Sequence, residues 1–466
     1  MTPSNRKTLE GRSKLWPQWL AAATVTVLAL LHGLTGGWSS PYLAKLTQGT
    51  ESLNITDDQV SWISSLHHMS RPVGCITGAV IAHKFGSRKG VLLAGVPHAV
   101  AWMCFLISQS VALIYTSRVS SGFAIGSYLT VFPLYIGEIS NPRIRGSLIT
   151  VVVQGTGIGY LMGNALGAYL SMKTFAIVSL TISIIFVVLV SLIPDSSHYL
   201  VRKKKYEKAA KSMKWYDRGD DVTAELGGLI AYIGPPRQLS VKDTIRLSLT
   251  PMNRKVLANV LAIQIVMHLG GPHVIRMYME ILLTTLKVDV VPPSVAVVCA
   301  GVFAMVGGIL ATYTTDYFGR RVMLAISSLG VSVVFLLLGI KFLLFRQDYD
   351  LTRIQWLIII EFMMYMFFMN VGLTSIPCCL VGEMFPPEFK ELGSCVASIV
   401  AAIAAFVVSK NYQPILSATS EEFVLFLYAF FVFFMFVYTV VFVPETKGKS
   451  LQEIQDMLMK RRVRRG

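Results

Sequence analysis

Apolar residues run along this chain in long blocks, and polar residues are gathered into short stretches between them. The blocks recur about twelve times, near 19–40, 61–82, 91–112, 116–138, 147–171, 174–194, 256–284, 291–315, 323–345, 354–382, 392–413 and 421–443. As helices they are long enough to cross roughly 30 Å of hydrocarbon. The pattern predicts an all-α polytopic membrane protein with twelve transmembrane helices. A short basic motif also recurs. Asp316-Tyr317-Phe318-Gly319-Arg320-Arg321 closes the eighth block and His83-Lys84-Phe85-Gly86-Ser87-Arg88-Lys89 closes the second, with the two glycines half of the 466-residue chain apart. That spacing predicts two equivalent halves, each a six-helix bundle.

The division that follows is a tail over 1–18, a first bundle over 19–194, a linker over 195–255, a second bundle over 256–443 and a tail over 444–466. The linker reads as a basic amphipathic helix from His198 to Tyr216 and a second helix around Asp221–Tyr232, before Gly234-Pro235-Pro236. It is too short for an enzyme domain, and its helices are expected to lie at the membrane surface.

Composition agrees: 53% hydrophobic and 15% charged residues exclude an ordinary soluble pair of domains. Lys and Arg collect in the tails, the linker and the loops at 83–89, 143–145 and 320–321. An even number of helices places all of these on one side, which the positive-inside rule makes cytoplasmic, with both termini inside. Topology, helped by anionic lipid, thus accounts for the net charge of +16. Nucleic-acid binding is excluded because no soluble domain is present to hold a duplex. The first block follows a basic tail as in a signal peptide, but it is long and no small-residue cleavage site ends it, so it is expected to be retained. Asn54-Ile55-Thr56 is a glycosylation acceptor sequence in the first loop, on the outer side of this topology. The six cysteines lie within apolar spans and are expected to be buried free thiols. No catalytic constellation and no cofactor motif is present.

Several further motifs occur in order. They are Arg118-x3-Gly122-x3-Gly126, Pro133 to Glu138 followed by Arg145-Gly146, Asp316 to Arg321, Pro377-x5-Glu383-Met384-Phe385-Pro386-x3-Lys390, and Pro444-Glu445-Thr446-Lys447-Gly448. Together they resemble the sugar porters of the major facilitator superfamily. Gly37-Trp38-Ser39-Ser40-Pro41 is similar to the insect trehalose and glucose facilitator branch, and the resemblance runs from about residue 20 to 457. It implies a facilitative transporter of a small polar solute, a sugar of the trehalose or hexose class, working by alternating access as a monomer in the plasma membrane, without a cofactor.

The resemblance also implies an inside gate. Glu138 and Glu383 at helix ends would stand opposite Arg88, Arg145, Arg320, Arg321 and Lys390 if the bundles meet on the cytoplasmic side, with Asp195, Asp316 and Glu445 as further acidic members. Such pairs would latch one bundle to the other and release when the cavity opens inward. The first-half copy departs from the pattern, because His83 replaces the usual acid and Ser87 an Arg. A looser gate is therefore expected, with inward-open conformations populated more than in relatives.

The cavity departs further. A sugar site needs side-chain amides and hydroxyls that recover the hydrogen bonds lost from water. The Gln-Gln pair and the Asn that sugar porters carry on the seventh helix are replaced in the run Met267-His268-Leu269-Gly270-Gly271-Pro272-His273, and the tenth-helix Pro-Trp is Pro377-Cys378. The candidate binding set is Gln154, Gln264, His268, His273 and Asn370. Pro272 after two glycines predicts a helix break at mid-membrane, where transporters build binding sites. Ligand hydrogen bonding is the first reading for the two histidines, ahead of proton coupling and of metal binding. His32 is expected to bond between helices, and Arg276 and Glu280, four residues apart, to pair with each other. Glu361 reads as a similar structural case. No acid occupies the first-helix position used by proton-coupled relatives, which favours facilitated diffusion. A proton-coupled or non-sugar carrier and a transporter-like sensor with little transport remain the alternatives.

Overall fold

The computed structural model describes residues 15–49, 53, 55–107, 110–141, 144–217, 222–233, 250–385 and 390–447. Asn54 and the side chains of Asp316, Glu383 and Lys390 lie outside them. Among the described residues the chain is helical, with no strand. The first bundle comprises α1 (Trp16–Thr47), α2 (Asp57–Phe85), α3 (Ser87–Ile107), α4 (Val111–Ile139), α5 (Arg145–Tyr169) and α6 (Met172–Leu192). The linker holds α7 (Ser197–Arg202), α8 (Tyr206–Asp217) and α9 (Thr223–Ile233). The second bundle comprises α10 (Pro251–Leu269), α11 (Pro272–Thr285), α12 (Pro293–Phe318), α13 (Arg320–Arg346), α14 (Gln355–Phe368), α15 (Ser375–Met384), α16 (Lys390–Ala418) and α17 (Glu421–Phe442).

Among the described residues, eleven spans are long and apolar enough to cross a membrane, with α10–α11 counted as one and α14–α15 as another. The twelfth expected span, α2, falls short of that apolarity although it has 29 residues. The physical reason is in its composition: Asp57, Asp58, His67, His68, Arg71, His83 and Lys84 are all on it. Its length still matches its neighbours, and it packs against α4 in its own bundle and α16 in the other. A polar span of this kind persists in a membrane only by facing protein.

Close approach of backbones builds the first bundle. In lipid, helices gain no hydrophobic drive toward one another, so small residues that permit close packing decide which helices meet. On α1, a Cβ at Gly33 would stand 2.7 Å from Gly159 Cα, and one at Gly37 would stand 2.8 Å from Gly163 Cα. From the other side, a Cβ at Gly159 would reach Leu30 O at 2.1 Å. The same device joins α2 to α4. A Cβ at Gly122 would meet His67 O at 2.0 Å, and one at Gly126 would meet Arg71 O at 2.1 Å. The glycines of the Arg118-x3-Gly122-x3-Gly126 motif therefore seat the stretch of α2 that carries His67, His68 and Arg71.

The two copies of the basic motif adopt one backbone shape. Gly86 has φ 100° and ψ 153°, and Gly319 has φ 96° and ψ 160°, a region open to glycine and strained for other residues. The linker differs from its sequence reading, because the single helix expected from His198 to Tyr216 is broken. Lys204 takes a positive φ of 57°, and Lys205 N donates back to Leu200 O at 2.9 Å. This closes α7 with a left-handed cap where three consecutive lysines would otherwise stack their charge on one helix. α8 then folds back: Tyr216 Oη donates to Pro194 O at 2.9 Å and meets Tyr135 Oη at 3.0 Å. Gln18 bridges the same corner, with Nε2 donating to Asp217 Oδ1 at 2.6 Å and Oε1 accepting from Asn141 N at 2.8 Å. The linker is thus anchored on the first bundle.

Gly159→Ala is expected to lower unfolding stability in detergent by about 1–3 kcal/mol, the usual range for overpacking, because its Cβ meets backbone that cannot rotate away. Gly137→Ala, where nothing lies within 4 Å, serves as control and should be near neutral in the same thermal unfolding measurement.

Candidate functional site

The Gly37-Trp38-Ser39-Ser40-Pro41 motif sits where the bundles meet, on the side opposite the linker. Gly37 packs on α5, and Trp38 presents its ring to the Arg118 guanidinium at 4.1 Å. Ser39 Oγ accepts from Arg118 NH2 at 3.0 Å. Ser40 Oγ accepts from Glu280 N of the second bundle at 3.2 Å. Nearby, Lys410 Nζ pairs with Asp58 Oδ1 at 2.8 Å and lies 4.1 Å from the Trp62 ring centre, and Ser61 Oγ donates to Lys410 O at 2.8 Å. The Asp58 side chain is 74% exposed, which limits that ion pair to about 0–1 kcal/mol. The two halves are therefore tied by individually weak bonds, as a seam that must reopen requires.

On the linker side the hydrogen bonds and ion pairs seen among the described residues join charges within each half, while Asp316, Glu383 and Lys390 of the expected latch lie outside the described side chains. Arg88 Nε pairs with Asp195 Oδ1 at 2.7 Å, and its NH1 donates to Ile193 O at 2.7 Å. Glu138 Oε2 accepts from Ser87 Oγ and Ser196 Oγ, each at 2.5 Å, and Arg202 approaches Oε1 at 3.7 Å. Arg145 Nε donates to Ser140 Oγ at 3.2 Å. In the second half Glu445 accepts from Arg320 N at 3.0 Å and from Arg321 N at 3.1 Å. Its carboxylate thereby occupies the N-terminus of α13, where free N–H groups and the helix dipole favour an anion. The linker supplies the acid for one copy of the motif and the tail supplies it for the other. Ser87, read as an erosion of the motif, is a direct hydrogen-bond donor to Glu138.

The helix break expected at Gly270-Gly271-Pro272 is present. α10 ends at Leu269, Gly271 is left-handed with φ 65°, and α11 starts at Pro272. A side chain on Gly271 would also strike the Tyr428 ring at 2.3 Å. Tyr365 Oη donates to the Pro272 carbonyl, tying the start of α11 to α14 at the break. A second break was not foreseen. Between α14 and α15, Met369–Leu373 form a π-turn in which Thr374 N reaches Met369 O at 2.9 Å. Ser327 repairs this ladder, accepting from Leu373 N at 2.8 Å and donating to Phe368 O. Such turns concentrate at functional sites.

Between these breaks and α2 the bundles bring imidazoles and guanidiniums together. The rings of His268 and His273 lie 5.2 Å apart, and His273 lies 5.4 Å from His68 of the first bundle. His67 follows at 5.4 Å from His68, with its Nδ1 3.2 Å from Ser121 Oγ. His268 Nδ1 lies 2.7 Å from Gln264 O, which assigns it the proton. The charge of Arg71 reaches His32, His67, His68, His268 and His273. That of Arg276 reaches His32 and His273, and no carboxylate among the described residues acts on any of the five. No three His, Cys, Asp or Glu side chains among the described residues are placed to hold a metal ion.

The expected Arg276–Glu280 pair does not form. Arg276 stands 5.0 Å over the Tyr160 ring and points NH2 at Met369 Sδ, 3.3 Å away, while Glu280 feels the charge of Lys45. A cation–π contact contributes about 0.5–2 kcal/mol, less than the several kcal/mol needed to offset an ion withdrawn from water. Glu361 does pair, with Lys341 on α13, both buried. His32 is not a helix-to-helix bond: its Nδ1 has no partner, and the ring stacks on Tyr128 at 5.8 Å. The five described cysteines form no disulfide; Cys75 and Cys104 are buried as expected, while Cys379 on α15 is exposed.

Of the candidate binding residues, Gln264, His268 and His273 fall in this region. Gln154 projects from α5 toward α12, with Oε1 3.8 Å from the Cβ position of Gly308. Asn370 lies in the π-turn and donates Nδ2 to Met366 O at 2.8 Å. Sequence reasoning missed His67, His68, Arg71 and Asn164, whose two amide atoms are buried without a partner among the described residues. An Arg in a membrane-length block was the available signal. A crevice of about 290 Å³ lined by Gln48, Glu280, Lys287 and Asp289 opens beyond the Ser40–Glu280 bond, away from the histidines.

Two helical bundles meeting at a seam, with broken helices and polar side chains on its inner face, define a membrane carrier of the alternating-access kind. Residues 24–458 match the family described as Sugar (and other) transporter, and the chain belongs to that family. It is 28% identical over 461 residues to the facilitated trehalose transporter Tret1 of Bombyx mori, covering 97% of this chain and 89% of that one. The Tret1 of Polypedilum vanderplanki is 26% identical over 450 residues, 96% of this chain and 89% of that one. Among solved structures, the inward open conformation of the xylose transporter XylE from E. coli superposes with a TM-score of 0.76 at 17% identity, covering 94% of this chain and 99% of that one.

Glu138→Gln is expected to loosen the linker without changing the bundle seam. Limited proteolysis within the linker should accelerate several-fold, while disulfide cross-linking of an Asp58→Cys/Lys410→Cys pair stays unchanged. Altered cross-linking with unchanged proteolysis would assign Glu138 to the bundle interface instead.

Proposed function

We propose that this protein moves a small hydroxylated solute of the sugar class, trehalose or a hexose, down its gradient by alternating access. The observation that carries this reading is the family match along nearly the whole chain together with relatives named as facilitated trehalose transporters at 28% and 26% identity. The seam supports it, since the bonds between the bundles on the side opposite the linker are weak while each half is internally braced among the described residues. Gln264, His268 and His273 beside the broken seventh span, with Gln154, Asn164 and Asn370, would hydrogen-bond the solute hydroxyls. The positive-inside distribution supports a linker side facing the cytoplasm, with both termini there. Asn54 would then be the outer glycosylation site, and the plasma membrane is the location its relatives' class favours. A monomer is the working unit, since the path lies between two bundles of one chain.

The linker-side pairs, including Arg88, Glu138, Arg145, Arg320, Arg321 and Glu445, brace each half so that the halves rock as units. Asp316, Glu383 and Lys390 would complete that rim.

In proteoliposomes, saturable uptake of radiolabelled glucose or trehalose is expected, unchanged by a proton gradient. His268→Ala and His273→Ala should each reduce it at least tenfold while the purified variants stay monodisperse. Absence of saturable flux from a folded protein would end the sugar reading, and flux that follows the proton gradient would replace facilitated diffusion with symport.

A further inference from the structure

We infer that this carrier takes anionic members of its solute class, hydroxylated organic acids or phosphate esters, in preference to neutral ones, the anionic group lying between Arg71 and Arg276. This rests on the carrier reading above and moves its preferred solute from the neutral sugar to that sugar's acidic derivatives.

The observation is a pair of guanidiniums, one from each half, with no carboxylate partner among the described residues. Arg71 comes from α2 of the first bundle and Arg276 from α11 of the second. Each stands three residues along its helix from one member of the His68–His273 contact, whose rings lie 5.4 Å apart across the seam. Arg71 has no hydrogen-bond or ion-pair partner among the described residues, and its Nε is buried. Arg276 has a ring face and a thioether sulfur but no carboxylate, and its Nε is also unpartnered. His68 Nδ1, next to them at the His68–His273 contact, is buried and unpartnered as well. Guanidinium stays protonated in any such environment and offers a planar fork that matches carboxylate and phosphate. Charged groups at membrane depth that lack a protein partner mark the path of a substrate that supplies one.

Arg118 is the contrast that makes the case specific. It lies in the same bundle and is buried where Arg71 is only half-buried, and Ser39 Oγ and the Trp38 ring occupy it, so it belongs to the frame. Glu280, one turn along α11 from Arg276, interacts instead with Lys45 and leaves Arg276 free of an internal anion. The arrangement also couples binding to movement. Like charges on opposite bundles repel when the seam closes, and a shared anion replaces that repulsion with attraction to both, so an occupied carrier closes more readily than an empty one.

The solute needs hydroxyls as well as charge, because Asn164 and Gln264 are buried amides and both amide atoms of Asn164 have no partner among the described residues. A sugar acid and a sugar phosphate share this chemistry, and the test separates them.

The purified full-length protein would be titrated in detergent with gluconate, glucose 6-phosphate, glucose, trehalose and inorganic phosphate, following thermal unfolding. The same solutes would then compete against labelled solute in proteoliposomes. The expected result is stabilisation and competition by gluconate or glucose 6-phosphate at concentrations at least tenfold below those needed for glucose or trehalose, with the better of the two naming the anionic group. Arg71→Gln and Arg276→Gln should each remove that preference, and Arg71→Lys should restore part of it, which separates lost charge from lost folding. Equal potency of neutral and anionic solutes, or a preference that survives both Gln variants, would overturn the inference while leaving sugar transport intact. Equal potency of inorganic phosphate and the organic anions would overturn it too, by showing a site for the charge alone. Anion-induced stabilisation without flux of any solute would support the site and count against the carrier reading.

Discussion

Everything in this molecule depends on backbones that touch. Lipid offers no hydrophobic reward for joining two helices, so the first bundle is assembled where glycine removes the side chain that would hold helices apart. α1 and α5 meet along Gly33, Gly37, Gly159 and Gly163, and α2 and α4 meet along Gly74, Gly122 and Gly126. The second seam has a functional consequence. α2 is the most polar of the long helices, and its contact with the glycines of α4 places His67 and Arg71 at the inner face of the bundle, away from lipid.

The same economy of contact explains why each half behaves as a unit. Charges on the linker side find partners in their own half, through Asp195 and Glu138 in one and Glu445 in the other. The repeated loop keeps its backbone shape in both copies while its acid is drawn from different segments, the linker for one and the tail for the other. Between the halves, the bonds seen among the described residues are a few exposed or single ones on the opposite side. Strong bonding within and weak bonding between is what rocking about a central site demands.

Much of this was legible in the residues. Gly270-Gly271-Pro272 foretold a break because proline lacks a donor and crowds the preceding turn, and the chain does break there. The π-turn at Met369–Leu373 carried no comparable mark, because it is created by Ser327 reaching over from another helix. Arg276 and Glu280 show the opposite failure. Their spacing suits a pair, yet Tyr160 and Met369 draw the guanidinium one way and the Glu280 backbone is held by Ser40. Ser87 read as a degraded arginine and proved to be a donor to Glu138, a role its identity permits but does not announce.

The sequence by itself determined the membrane class, the twofold organisation and the position of the broken seventh span, because each rests on period, length or local backbone chemistry, and its ordered motifs carried the family resemblance. Only the tertiary structure decided which charges meet. Pairing between residues far apart in the chain depends on which helix faces approach closely enough, and that is set by the glycine seams and by the competition of several partners for one side chain. Arg71 and Arg276, about two hundred residues apart, became neighbours of the same histidines through that packing alone.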